Sequence, residues 1–205
     1  MSTFLQGITA DFPVRSLHRG EIVFRQGEPA RGLYALESGL VGLFGLAVSG
    51  REMLYTLFRD GQLLGHRAYF SGEVHLSEAR ALVPVQIRFV PAQNVEELLR
   101  TQPEFARGLL SELAALLGSF GQRLADAADK PAPARIAATL LYLKDFAPDH
   151  RWRRADIADY SGSTAPTVVR TLQELEERGL LRLHGREIQI KDEPGIRRWI
   201  ESAGD

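Results

Sequence analysis

The chain has 205 residues, a formal net charge of −1 and 44% apolar side chains, which excludes a chain too polar to bury a core and fits one large or two small domains. It contains no cysteine. Disulfides, thiolate catalysis, cysteine-held zinc and iron–sulfur clusters are thereby excluded within the chain.

Met1 to Asp11 shows no basic stretch followed by an apolar core, so no signal peptide is expected. No apolar run reaches membrane-spanning length. A cytoplasmic protein with no membrane partner fits these features and the lack of cysteine. Near-neutral charge argues against a wholly basic nucleic-acid coat but leaves room for a small local patch.

Residues 1 to 102 are punctuated by glycines, among them Gly20, Gly27, Gly32, Gly39, Gly50, Gly61, Gly65 and Gly72. Between them lie strand-like runs: Ile22–Phe24, Leu33–Leu36, Leu40–Leu46, Glu52–Phe58 and Val85–Val90. Many short strands between turn signals predict an antiparallel roll, barrel or sandwich. Ser49-Gly50 reads as a hairpin turn.

The period changes near Pro91. Asn94 to Arg100 predicts a short helix, and Glu104 to Ala128 one long helix, about 37 Å at 1.5 Å per residue. Its apolar seam is Leu109, Leu113, Leu116, Leu117, Phe120 and Leu124, widened by Leu110. Near-heptad spacing of this kind calls for a partner helix, hence a homodimer, although packing on its own domain would also use such a stripe. Gly118 and Gly121 weaken the helix but permit close approach. Lys130-Pro131-Ala132-Pro133 breaks it, and Arg135 to Phe146 starts a new amphipathic helix. The chain thus divides into 1–102, a long helix over 103–129, and 130–205.

Residues 151–191 carry the most specific pattern. Asp156 to Tyr160 is a short helix stopped at Ser161-Gly162. Ser163 or Thr164 is the N-cap of the next helix, with Pro166 in its first turn. That helix, Ala165 to Arg178, turns Val168, Leu172 and Leu175 inward and leaves Thr164, Ala165, Thr167, Arg170 and Thr171 on its outer N-terminal side. Two helices across a tight glycine turn form a helix-turn-helix. Short side chains let such a helix enter the major groove, where Arg170 can grip guanine O6 and N7. Gly179 ends the helix. Leu180–Leu183, the turn His184-Gly185-Arg186 and Glu187–Ile190 then form a wing, with Arg186 placed for phosphate.

In this order of motifs the chain resembles the Crp–Fnr family of transcription regulators over nearly its full length. Gly27-Glu28-Pro29, Leu33-Tyr34, Leu36 and Gly39 resemble the family's cyclic-nucleotide-binding roll. Asp60-Gly61-Gln62 and Leu64-Gly65 resemble the turn into its pocket. Asp156-Ile157-Ala158, Gly162, Thr167-Val168, Arg170, Leu172, Leu175-Glu176 and Gly179-Leu180 match its recognition unit. The resemblance implies an α+β fold: an antiparallel β-roll of the double-stranded β-helix type that senses an effector, a long dimerisation helix, and a C-terminal winged helix-turn-helix. It implies a homodimer on a two-fold DNA site, with Arg154 and Thr167 on phosphate and Arg170 on a base; RNA polymerase is a further expected partner. Ala165 and Pro166 stand where many members carry base-reading Arg and Glu. Arg153 takes the place of a capping hydroxyl, and Trp152 anchors the core before it.

Cyclic-nucleotide binders of this family need an acid after the pocket glycine and an Arg-Ser or Arg-Thr pair for the cyclic phosphate. Here those places read Gly65-His66-Arg67 and His75-Leu76-Ser77, so cyclic AMP is disfavoured, with Arg67 or Arg80 the remaining cations. Haem on a histidine (His66, His75 or His18), an unidentified small molecule, or no ligand at all stay open. Two rivals from other classes stand beside this reading. One is a ligand-independent DNA-binding or polymerase-interaction module. The other is a cupin-like metalloenzyme using His66, His75, Glu73 and Glu78, which lacks the His-x-His such sites use; no enzyme activity and no metal site are expected.

Overall fold

A computed structural model describes residues 9–48 and 50–202. Most of the Met1–Asp11 stretch read for a leader, and Ser49 of the Ser49-Gly50 turn, lie outside the described residues. The chain falls into two compact units, Met1–Gly118 and Ser119–Asp205.

The first unit is a roll of two antiparallel sheets. One has the order β1(Val14–Leu17)-β8(Val85–Pro91)-β3(Gly32–Ser38)-β6(Leu63–Leu64), the other β2(Ile22–Phe24)-β7(Glu78–Ala81)-β4(Leu40–Leu46)-β5(Glu52–Arg59). The antiparallel roll expected from the glycine-punctuated runs is therefore present. Alternation along the strands sorts the core. Leu36, Val85 and Ile87 face Val23, Phe24, Val41, Phe58, Ala79 and Ala81 of the opposite sheet. Leu33, Ala35 and Val90 point the other way, onto Val95, Leu98, Phe105 and Leu109. Gly39 turns β3 into β4 with φ +104°; a Cβ there would meet the Pro84 carbonyl oxygen at 2.5 Å, so no other residue fits. β4 and β5 form the expected hairpin, with Gly50 donating to the Ala47 carbonyl at 2.8 Å.

Helix α1 (His66–Ser71) follows the Gly65 turn, α2 (Ala92–Thr101) follows β8, and α3 (Pro103–Asp129) is one continuous helix. The first of these was not anticipated: six residues are too few to show a helical period. The sequence set the long helix apart as its own segment, whereas packing shares it between the two units.

The second unit begins with the last turns of α3. Pro131 caps α4 (Ala132–Phe146), whose Ile136, Ala137, Leu140 and Leu143 are buried. Trp152 is 2% exposed and donates its indole N–H to the Leu143 carbonyl at 2.8 Å, the anchoring role its position suggested. α5 (Arg154–Ser161) and α6 (Ala165–Glu177) form the helix pair, and β9 (Leu181–His184) and β10 (Glu187–Ile190) the wing. A final helix, α7 (Glu193–Ser202), buries Ile196 and Trp199; nothing read from the sequence covered it.

Candidate DNA-reading face and sensor pocket

The start of α5 is fixed by charge. The buried Asp156 carboxylate accepts the Arg153 backbone N–H at 2.8 Å and pairs with its guanidinium at 2.5 Å. A carboxylate at the third helical position thus satisfies the backbone amide of the cap residue, as the acidic half of a capping box does. Gly162 closes α5 in the left-handed region at φ +67°. Thr164, not Ser163, caps α6: its hydroxyl accepts the Thr167 N–H at 3.4 Å and lies 2.9 Å from the Thr167 hydroxyl.

Val168, Thr171, Leu172 and Leu175 form the buried face of α6. Thr171 is 3% exposed, which corrects its placement on the outer side, and Ser163, expected among the DNA-binding residues, is 6% exposed. Thr171 lies one helical turn beyond Val168 and is carried inward with it. Thr164, Ala165, Pro166 and Arg170 are exposed, Thr167 and Arg154 half-buried. The sequence reading missed Val169 and Gln173, which share the outer face. Arg170 donates weakly to the Thr167 hydroxyl at 3.5 Å, which steers the guanidinium toward the helix N-terminus.

In the wing, Gly185 sits at φ +57° and Arg186 is exposed beside it. Arg186 lines a cleft of about 280 Å³ with Lys144, His150, Arg151, Asp149 and Glu187. Lys144 and Arg151 escaped the sequence reading because they belong to different segments that only the fold brings to the wing.

The roll residues do not converge as expected. Gly65 (φ +89°) and His75 come together, the His75 ring 3.5 Å from where a Gly65 Cβ would stand, whereas the His66 ring lies beside Phe58, 6.0 Å between centroids. His66 is 5% exposed, and neither of its ring nitrogens has a partner among the described residues. Burial pushes it down to about 4. The His75 ring stacks on Phe24 at 3.8 Å and is also lowered by burial. Ser77 is buried, and Leu76 is 58% exposed. Arg67 is spent on Glu73 at 2.6 Å and the Val74 carbonyl at 2.7 Å, closing the loop after α1. Arg80 is spent on Glu52 and Glu78 at 2.9 and 2.8 Å while lying over Phe44. Both arginines are thus already paired with carboxylates. A second concavity, about 470 Å³, is lined by Arg15, Glu28, Arg31, Tyr34, Ile87 and Phe89; it depends on β1, which carries no clear alternation.

Helix α3 corrects the seam. Leu109 is 4% exposed and packs in the roll cluster; Leu113 and Leu116 are half-buried against the same unit. The open residues are Leu110, Leu117, Phe120 and Leu124, 44–75% exposed. On the inner side of the helix, the Glu112 carboxylate accepts the Leu63 N–H at 3.2 Å, and burial pushes its pKa up to about 7.

Residues 14–102 match the family described as cyclic nucleotide-binding domain, and residues 134–199 match the Crp-like helix-turn-helix domain. The fold and this outer helix face define a DNA-binding transcription regulator with a cyclic-nucleotide-binding-type roll. The chain belongs to the Crp–Fnr family. It is 29% identical over 197 residues to a CRP-like cAMP-activated global transcriptional regulator of Mycobacterium tuberculosis, covering 92% of this chain and 86% of that protein. It is 27% identical to the global nitrogen regulator of Nostoc, covering 92% and 91%. Among solved structures it resembles a CRP/FNR-family transcriptional regulator of Thermus thermophilus, at 25% identity, TM-score 0.79, and 93% and 100% coverage. These relatives are transcription regulators, and the enzyme reading is set aside.

Proposed function

We propose that the chain acts as a cytoplasmic homodimer that reads a two-fold-symmetric DNA site and couples a signal in the roll to transcription, in contact with RNA polymerase. The observation that carries this is the outer face of α6: Arg170 exposed, steered by Thr167, on a helix whose opposite face is buried. Arg154, Thr164, Thr167 and the wing's Arg186 supply phosphate contacts, and Arg170 reads guanine. The dimer forms through the exposed Leu110, Leu117 and Leu124, which recur every seventh residue, with Phe120 between them.

The signal is proposed to differ from cyclic AMP. His66 and His75 stand where the family resemblance requires an acid and a cation, and burial lowers the pKa of both. The nearby cations, Arg67 and Arg80, are paired with Glu73 and with Glu52 and Glu78, so a phosphate there would have to compete with carboxylates for them. A haem held by His66, whose ring nitrogens are unpartnered among the described residues, is the second reading; visible absorbance after haem titration decides it. A roll that senses nothing is separated from a sensor by melting: an effector at a hundredfold excess over Kd adds about 2.7 kcal/mol.

Selection of bound sequences from random duplex DNA, with purified protein and no added ligand, tests the core of this reading. A symmetric motif with half-sites about 34 Å apart is the expected result. Binding that shows no sequence preference under any ligand condition overturns it.

A further inference from the structure

At 3.6 residues per turn, the line of α6 opposite Val168, Leu172 and Leu175 runs through Pro166, Arg170, Gln173 and Glu177. Ala165 and Val169, four residues apart, form the adjoining ridge. All six are exposed. The first turn and a half, the part that meets base edges in this class of helix, therefore presents Ala165, Pro166 and Val169 around a single polar reader, Arg170.

The acids nearby are engaged elsewhere. Glu174 pairs with Arg178 at 3.0 Å, and Glu176 accepts the Leu183 N–H at 2.7 Å in the wing. Glu177 lies three turns from the helix start. The carboxylates nearest Arg170 are thus occupied and poorly placed to accept a hydrogen bond from a cytosine amino group; Gln173, one turn on, offers an amide. Val169 is also poorly suited to an exposed helix position on its own account: it is β-branched, and 40% of it is open to solvent. A contiguous apolar ridge beside one guanidinium is complementary to one feature of the major groove, the 5-methyl group of thymine.

We infer that Val169, with Ala165 and Pro166, is a specificity-determining surface that reads thymine methyl groups next to the guanine held by Arg170. This rests on the DNA-reading role proposed above and deepens it. Each half-site would carry a guanine with a thymine within one or two base pairs.

The test uses the full-length protein and the duplex obtained by selection. Each thymine is replaced in turn by deoxyuridine, which removes the methyl and leaves every hydrogen-bonding group. Wild type should lose about threefold to fivefold in affinity at one position per half-site, the scale of one buried carbon. Val169→Ala, an exposed change that leaves the melting temperature in place, should lower affinity for the thymine duplex and flatten the uracil effect. Affinity indifferent to every thymine-to-uracil change, or a uracil effect undiminished in Val169→Ala, overturns the inference while leaving the DNA reading intact. Failure to select any symmetric motif overturns both.

Discussion

The guanidinium of Arg123 lies over the ring of Tyr160, 4.0 Å from its centroid, and donates to the Tyr160 carbonyl at 2.8 Å. Arg123 belongs to the last turns of α3 and Tyr160 to α5, and burial raises the Tyr160 pKa. One side chain thus ties the end of the long helix to the first helix of the DNA-reading pair, on the far side of the Lys130–Pro133 break. Arg123→Ala should destabilise the second unit by about 2 kcal/mol, combining a cation–π contact with a charged hydrogen bond. Arg123→Lys should lose less, since an ammonium keeps the charge without the fork. Thermal melting of the full chain checks both; a wild-type transition in Arg123→Ala would remove the tie.

Arg170→Ala should weaken specific binding by about 1–3 kcal/mol and relax the preference for guanine, while binding to unrelated duplex barely changes. Fluorescence anisotropy at fixed salt on matched and scrambled duplexes reads both quantities. Equal losses on the two would make Arg170 a phosphate contact instead.

Leu117→Glu with Leu124→Glu should produce a folded monomer, because both side chains are about three-quarters exposed and a charge there costs the roll nothing. Leu109→Glu should instead unfold the roll, since it buries a charge among Leu33, Val90 and Phe105. Sedimentation for the first pair and circular dichroism for the second distinguish them. A dimer that survives the double glutamate at micromolar concentration would move the interface elsewhere.

Two buried groups of the roll unit oppose each other in pH. His66 titrates near 4 when folded against 6.5 unfolded, so between those values the unfolded chain binds the extra proton and stability falls as pH drops. Glu112 titrates near 7 when folded against 4.5 unfolded, so the folded chain holds the extra proton and stability falls as pH rises through that window. Each amounts to about 3 kcal/mol in full, and between pH 4.5 and 6.5 their slopes cancel. Glu112→Gln keeps an acceptor for the Leu63 N–H and removes one slope. Its stability at pH 7.5 should rise by roughly 2–3 kcal/mol and should then climb with pH between 4.5 and 6.5. Urea melts across that range check it; a pH dependence identical to wild type would mean Glu112 is ionised when folded.

Periodicity made the DNA-reading unit legible. Gly162, Thr164, Pro166 and Gly179 are local signals, and α6 lies where they placed it, within a residue of its end. The inward turn of Thr171 was not visible because a threonine is read as polar, whereas its burial follows from lying a turn from Val168. The roll showed as strands but not as a pocket: whether Arg67 and Arg80 are free depends on Glu73, Glu52 and Glu78, and those pairings exist only in three dimensions. On α3 the apolar arc was plain, yet sequence cannot say which edge belongs to the roll. That is why Leu109 and Leu116 were grouped with Leu117 and Leu124.

The outer face of α6 also sets how much information a binding site can carry. With the one bidentate reader and the methyl-sized ridge proposed above, a half-site would discriminate by a few kcal/mol at most, spread over a few base pairs. Related sites then differ by modest factors and form a graded series instead of a bound and an unbound class. How far down that series occupancy extends is governed by the number of protein molecules in the cell, which makes expression level itself a determinant of which genes respond.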